Sequence, residues 1–279
     1  MTAAPTRPIM RYLGGKWMLA PWIISHFPSH RTYAEPFGGV ASVLLRKPRS
    51  RAEIYNDADG EIVNLFRVLR SPVESRELVR IVRLTPFSRH EYETAFLLSG
   101  DPIEQARRTL VKSAMGFGSN SVQRRTGFRP GYTRQGQTPA GDWSNLPGSM
   151  TQIIERLRGV IIEERPALEI IHRYDSADTL FYVDPPYVHA TRGDDSRYRL
   201  EMSDDDHREM AATLRRARGM IVVSGYSCAL YDTELFTDWQ RIDYATHADG
   251  GRDRIESLWL SPNIRIPQMQ LLEITEPTP

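Results

Sequence analysis

TLFYVDPPY, Thr179 to Tyr187, is the stretch on which the reading of this chain turns. Leu180 to Val183, with Thr179 ahead of them, are β-favouring residues and read as a buried strand. The strand stops at Asp184 and two prolines. Neither Pro185 nor Pro186 can donate to a ladder or enter a helix interior, and each pushes the residue before it out of the α region. The result is a stiff turn at the carboxyl end of a strand, where open α/β sheets bind ligands. There Asp184 offers a carboxylate, Pro185 a carbonyl oxygen free of ladder duty, and Tyr187 a flat face with a polar tip. Two acceptors beside an aromatic platform suit a planar ligand that donates two hydrogens from one nitrogen, as an amino-bearing nucleobase does. In isolation the tetrapeptide is equally a proline-rich loop with a capping aspartate, so the flanking segments must decide.

Ahead of it, Gly159 to Ile171 (GVIIEERPALEII) reads as a strand ending in acids, then a helix opened by Pro166. After it, Val188 to Arg199 is a polar loop carrying Arg192, Arg197 and Arg199. Ser203 and Asp206 form a capping box for a helix to about Arg218. Acids favoured at that helix N-terminus explain Asp204 to Asp206, beside His207, without a metal site. Met220 to Ser224 is an apolar strand running into Gly225 and Tyr226. Gln240 to Ala245 and Glu256 to Leu260 read as an edge hairpin across a glycine-rich loop.

Toward the amino terminus, Tyr12 to Trp17 is YLGGKW, two glycines followed by a cation and an aromatic. The first glycine of a phosphate loop and the hydroxyl after its lysine are missing. A helix follows, Met18 to Phe27. Thr32 to Glu35 is a short strand that enters Pro36-Phe37-Gly38-Gly39, and a helix starts near Val40. Strand, glycine turn, helix opens a cofactor-binding α/β unit, but the three-glycine spacing that serves a pyrophosphate is absent. A cofactor without pyrophosphate fits better. A second strand, Ala52 to Tyr55, ends in Asn56-Asp57, where such units hold ribose hydroxyls. Asp59 falls at the start of the next helix, Gly60 to Leu69, and reads as its cap.

From Thr85 to Pro147 the α/β rhythm disappears. Helical patterns fill Ser88 to Leu98 and Pro102 to Met115, and a segment rich in glycine, serine and arginine follows, Gly116 to Gly141. Between Gln105 and Gly141 stand seven basic residues and no acid: Arg107, Arg108, Lys112, Arg124, Arg125, Arg129 and Arg134. Phe117, Phe128 and Tyr132 are interleaved with them. The whole chain of 279 residues carries a net charge of only +1, so such a run is not a typical solvated face. Basic residues with aromatics between them fit phosphate contacts and groove insertion. The lone Cys228 excludes an internal disulfide framework and agrees with a cytosolic protein. No apolar run is long enough to span a bilayer, and the N-terminus lacks the apolar core of a signal peptide.

In this order the motifs resemble the Dam-like DNA adenine N6-methyltransferases, over nearly the whole chain from Tyr12 to Asn263. Tyr12, Gly14, Gly15 and Lys16 match that family's amino-terminal cofactor motif. Glu35, Pro36, Phe37, Gly38 and Gly39, with Ser42, match its proline-phenylalanine-glycine loop, and Asn56-Asp57 its ribose pair. Asp184 to Tyr187 match the catalytic tetrapeptide, Ser224 to Tyr226 the strand behind it, and Arg252 to Asn263 the terminal hairpin. One departure is the third strand, which ends in Glu163-Glu164-Arg165 where the family usually has an aspartate-phenylalanine type of ending.

The resemblance implies a Rossmann-like α/β methyltransferase fold, a seven-stranded, mostly parallel sheet with one antiparallel strand. It also implies two parts: residues 1–84 with 149–279 as the catalytic domain, and residues 85–148 as an inserted, mainly helical target-recognition domain. The implied cofactor is S-adenosylmethionine, held by the motif residues above together with Glu164, Arg165 and Asp184. Duplex DNA is the implied partner, met by Lys112, Arg124, Arg125, Arg129, Arg134, Arg192 and Arg197. Asp184, Pro185, Pro186 and Tyr187 are the implied catalytic residues, acting on a flipped-out adenine without a metal. A cytoplasmic, bacterial or phage-encoded enzyme follows, either solitary or paired with a restriction enzyme, as monomer or homodimer. Three other readings stay open: cytosine N4 methylation, where a serine more often replaces Asp184; guanine N2 methylation of RNA; and a DNA-binding protein without catalysis. Cys228 has no proline-cysteine setting, which disfavours a cytosine C5 mechanism.

Overall fold

The structure is a computed structural model that describes residues 4–131, 138–191, 199–247 and 253–264. Its centre is a seven-stranded sheet: β1 Thr32–Glu35, β2 Ala52–Asn56, β3 Val160–Glu163, β4 Thr179–Val183, β5 Met220–Tyr226, β6 Gln240–His247 and β7 Asp253–Leu260. The spatial order is β3-β2-β1-β4-β5-β7-β6, and β7 alone runs antiparallel to its neighbours. All seven expected strands and the single reversed strand are present, with β7 beginning at Asp253, three residues before the expected Glu256. The terminal hairpin is an edge in part only, because β7 is wedged between β5 and β6 and leaves β6 outermost.

Strand β4 is central because all five of its residues are buried. Period-two alternation sends them into two separate cores. Leu180 and Tyr182 join a cluster with Tyr33, Tyr55 and Phe66, while Phe181 and Val183 join one with Ile54, Met210 and Trp259. A strand apolar on both faces needs helices on both faces, as in other parallel sheets. The first layer is α1 Ala20–Ser25, α2 Ser42–Arg46, α3 Gly60–Arg70, α4 Glu74–Leu84, α5 Arg89–Thr94, α6 Pro102–Met115 and α7 Pro139–Leu157. The second holds α8 Ala167–Tyr174 and α9 Asp204–Arg216, the latter opened by the expected Ser203/Asp206 capping box.

Helix α7 was not legible as a helix in the composition of its segment. Gly141, Pro147 and Gly148 look like breakers, yet Trp143, Leu146, Met150, Ile153 and Leu157 form a buried stripe at alternating spacings of three and four. Thr138 caps it and Pro139 occupies its first turn, where a missing N–H costs nothing. The helix runs across position 148, and residues of α5, α6 and α7 share one buried cluster with α3 and the sheet. No helix among the described residues is long and apolar enough to cross a membrane.

The spatial order reverses between β1 and β4, which pair in parallel through Thr32–Thr179, Tyr33–Leu180 and Ala34–Phe181. At such a switch point the loops leave the strand ends in opposite directions and open a crevice. Here those loops are Pro36–Gly39 and Asp184–Tyr187.

Candidate active site

Asp184 stands at the end of β4 with its carboxylate already oriented. The hydroxyl of Ser224, on β5, donates to Asp184 Oδ1 at 2.8 Å, and Tyr182 Oη lies 2.9 Å from the same hydroxyl. Lys16 Nζ is 3.0 Å from Asp184 Oδ1, donates to the Gly14 carbonyl at 3.0 Å and lies 3.7 Å from Glu256 Oε1. The same ammonium sits 4.7 Å from the centre of the Tyr187 ring. Tyr187 is buried, edge-on to Tyr226, and its hydroxyl donates to Glu256. Glu256 projects from β7 into this cluster at 2% exposure. Burial pushes its carboxyl up, and the Lys16 charge opposes that shift.

The second wall is built by glycines and buried acids. Gly38 approaches β2 so closely that a Cβ would meet the Tyr55 ring at 2.4 Å and the Asn56 carbonyl at 2.8 Å. Gly39 has φ +48°, and its N–H donates to Asp57 Oδ2 at 2.7 Å. The Asp59 N–H donates to Asp57 Oδ1 at 2.8 Å. Burial raises Asp57 to about 6 against these two donors. Glu35 receives the Tyr33 hydroxyl and the Leu44 N–H, both at 2.7 Å, and burial raises it to about 7. Neither Glu35 nor Asp57 has a cation within ion-pair distance among the described residues. Ser42 Oγ and Asp59 Oδ2 are buried with no hydrogen-bond partner among the described residues.

One cleft unites these walls. Of the residues expected to bind a cofactor, it is lined by Tyr12, Gly14, Gly15, Lys16, Glu35, Pro36, Phe37, Gly38, Gly39, Ser42, Asp57 and Asp184, and Pro186 joins them. Pro185 and Tyr187 stand behind that lining. Glu164 and Arg165 are not brought to the cleft. Glu164 turns to Arg67 at 2.6 Å, and Arg165 turns to Glu163 and Glu169 while its backbone is tied to the Asn56 amide. Ala167, at the start of α8, lines the cleft in their stead.

The basic segment divides in two. Its loop is closed at the neck by Phe117 N–H to Gly127 O and Arg129 N–H to Met115 O, both 2.8 Å, and by the Gly116–Phe128 bridge. Arg124 and Arg125 are exposed, Arg129 is half-buried, and Phe117 is 69% exposed. Lys112 is different: at 5% exposure it pairs with Glu61 beneath α3, which removes it from any DNA-facing surface. Arg107 and Arg108 pair with Glu104, and Arg107 also with Glu91. Arg134, Arg192 and Arg197 lie outside the described residues, as do Tyr132 and Arg252.

Two contributors had little weight in the sequence reading. Glu256 was only one residue of the terminal hairpin, although a lone acid inside the apolar run of β7 is an unusual placement. Arg199, an ordinary basic residue of a polar loop, lines the cleft and pairs with Asp59 and Glu61.

Against known proteins, residues 12–247 match the family model described as D12 class N6 adenine-specific DNA methyltransferase. No curated protein matches the chain.

Proposed function

The chain belongs to the D12 class of N6 adenine-specific DNA methyltransferases, and from that premise we propose that it methylates a flipped-out adenine at specific sites in duplex DNA, using S-adenosylmethionine. The observation that carries this reading is a carboxylate fixed at the β4 end, Asp184, opening onto a cleft floored by Glu35 and Asp57. The donor set fits the cofactor. Two acids without cationic partners and a Ser42 hydroxyl without a hydrogen-bond partner, among the described residues, suit a ligand with a ribose diol, an ammonium and a sulfonium. When bound, S-adenosylmethionine supplies an electrophilic methyl group. Tyr12 to Lys16, Glu35 to Gly39, Ser42 and Asp57 would hold it.

The exocyclic amine of adenine is a weak nucleophile because its lone pair is delocalised into the ring. Asp184 and the Pro185 carbonyl accept its two hydrogens and turn the lone pair toward the cleft. Fixed acceptors of this kind cost no reorganisation at the moment of reaction. Ser224 holds one Asp184 oxygen in place for that task. The Lys16 ammonium stands over the Tyr187 ring, 4.7 Å from its centre, and reaches both Asp184 and Glu256. An adenine inside a duplex cannot reach Asp184, which is why extrusion belongs to the proposal. Residues 85–148, with Arg124, Arg125 and Arg129, are assigned to target recognition, and residues 1–84 with 149–279 to transfer. The setting is the cytoplasm of a bacterium or of a phage host.

The test is transfer of labelled methyl groups from S-adenosylmethionine to plasmid DNA by the purified chain, followed by digestion to nucleosides. Label should run with N6-methyladenine. Label in N4-methylcytosine, or in RNA alone, would change the substrate; no transfer at all would leave a DNA-binding protein.

A further inference from the structure

The cleft and the basic loop meet at Arg199. Its Nη1 lies 3.0 Å from Asp59 Oδ1 and its Nη2 2.9 Å from Glu61 Oε2, while Nη2 also donates to the Val122 carbonyl at 3.3 Å. These three acceptors belong to two regions with separate tasks. Asp59 caps α3 and gives its N–H to Asp57, the acid assigned to the cofactor ribose. Val122 lies in the loop that carries Arg124 and Arg125, and its neighbour Gln123 lines the cleft. On the chain's own side, Leu200, Glu201 and Met202 follow Arg199 directly and form part of the cleft wall.

We propose that Arg199 is a positioning residue that makes cofactor binding and DNA binding depend on one another. The inference rests on the cofactor and DNA assignments made under Proposed function. A ligand held by Asp57 fixes the turn from Asp57 to Glu61, because that carboxylate already organises the turn through the Asp59 N–H. The fixed turn presents both carboxylates to Arg199 in one arrangement. The guanidinium in turn fixes the Val122 carbonyl and the direction in which the loop leaves it. In the reverse sense, DNA that orders the loop holds Arg199 on α3 and draws residues 200–202 across the cleft. Coupling of this kind is reciprocal, with equal factors in the two directions.

The partners are well suited to carry such a signal. Asp59 and Glu61 are only 6% and 9% exposed, and the other Glu61 oxygen is held by Thr109 at 2.8 Å and by Lys112. Glu61 is therefore a fixed anchor, leaving Arg199, whose side chain is 37% exposed, as the element that can let go. A guanidinium spreads its donors over two terminal nitrogens in a fixed plane, whereas a lysine ammonium would have to reach Asp59, Glu61 and the Val122 carbonyl from a single nitrogen.

The experiment uses the full chain and two probes. One is S-adenosylhomocysteine; the other is a short duplex carrying whatever sequence the transfer assay shows to be methylated. Affinity for the duplex is measured with and without saturating S-adenosylhomocysteine, and the ratio is the coupling factor. For the native chain we expect a factor of about tenfold, inside the usual 5- to 150-fold range. For Arg199→Lys and Arg199→Met we expect a factor near one, with the duplex affinity measured without S-adenosylhomocysteine within about threefold of native. Two results overturn the proposal: a native factor near one, or variants that keep the native factor while both affinities fall together, as a merely structural residue would give. Failure of the native chain to bind S-adenosylhomocysteine by itself would fell the cofactor assignment first, and it is seen in the separate titration before any coupling is measured.

Discussion

The strand ends around Glu35, Asp57 and Asp184 and the loop from Gly116 to Arg129 both carry charge, and they hold it in opposite ways. The acids are sheltered and fixed by near neighbours. Asp57 is bound by N–H groups of Gly39 and Asp59, Glu35 by Leu44 and Tyr33, and Asp184 by Ser224. In the loop Arg124 and Arg125 face solvent, with the Arg125 guanidinium 5.4 Å from the Phe96 ring. Fixed acids suit a step in which an atom must be aimed; exposed cations suit attraction to a polyanion whose sequence does not matter to them.

Removing the aimed group should separate the two regions most widely. Asp184→Ala should slow single-turnover methyl transfer by at least ~10²-fold while leaving the fold and most of the phosphate-driven DNA affinity in place. Asp184→Asn keeps the volume and one acceptor, and should also be severely slowed. Near-normal transfer by the alanine variant would mean that the DPPY turn is structural.

A smaller effect tests whether the buried acids are charged only when a ligand arrives. Burial raises Asp57 to about 6 and Glu35 to about 7, above ordinary carboxyl values near 4. Between those limits these two carboxyls hold more protons in the folded apoprotein than in the unfolded chain, so their contribution to stability falls as pH rises from about 4 to about 7. A cationic cofactor that prefers the carboxylates should bind with proton release near pH 6, and its affinity should climb with pH up to about 7. Calorimetry in buffers of different ionisation enthalpy measures that release. Asp57→Ala should weaken the cofactor by roughly 1–3 kcal/mol and shrink the release; unchanged affinity in a folded variant would move the ribose role elsewhere.

The smallest effects lie in the loop. Arg124→Ala and Arg125→Ala should each lower the salt dependence of DNA binding by about one ion and weaken binding on all sequences alike. Arg107→Gln is the contrast: its guanidinium is committed to Glu91 and Glu104, so the salt slope should stay put. A lowered slope for Arg107→Gln, or none for the loop pair, would reverse the division drawn between them.

That division also explains what could be read from the sequence. Strand β4 and the turns at Gly38 and Asp57 were legible because their partners lie within a few residues or in the next strand. Buried acids held by local N–H groups leave a local signature. The basic run misled at Arg107 and Arg108 because Glu104, three and four residues earlier on α6, lies just outside its bounds, and at Lys112 because what neutralises it, Glu61, comes from α3. Pairing across folded elements leaves no mark on spacing. Glu164 and Arg165 show the same limit: the end of β3 was found, but which side chains turn inward depends on Arg67 of α3 and Glu169 of α8. Helix α7 is the converse, a stripe that was present in the sequence and outweighed there by its glycines and proline.

The antiparallel strand β7 has one more consequence, for the timing of activity during synthesis. It enters the sheet between two strands made before it and delivers Glu256 to Lys16 and Tyr187. These contacts join a residue near the start of the described chain to one close to its end, so the site closes only by long-range pairing, the slow kind of contact to form. A nascent chain still short of β7 has the DPPY turn, the glycine loops and the Lys16–Asp184 pair, but it lacks Glu256, the carboxylate that takes the Tyr187 hydroxyl.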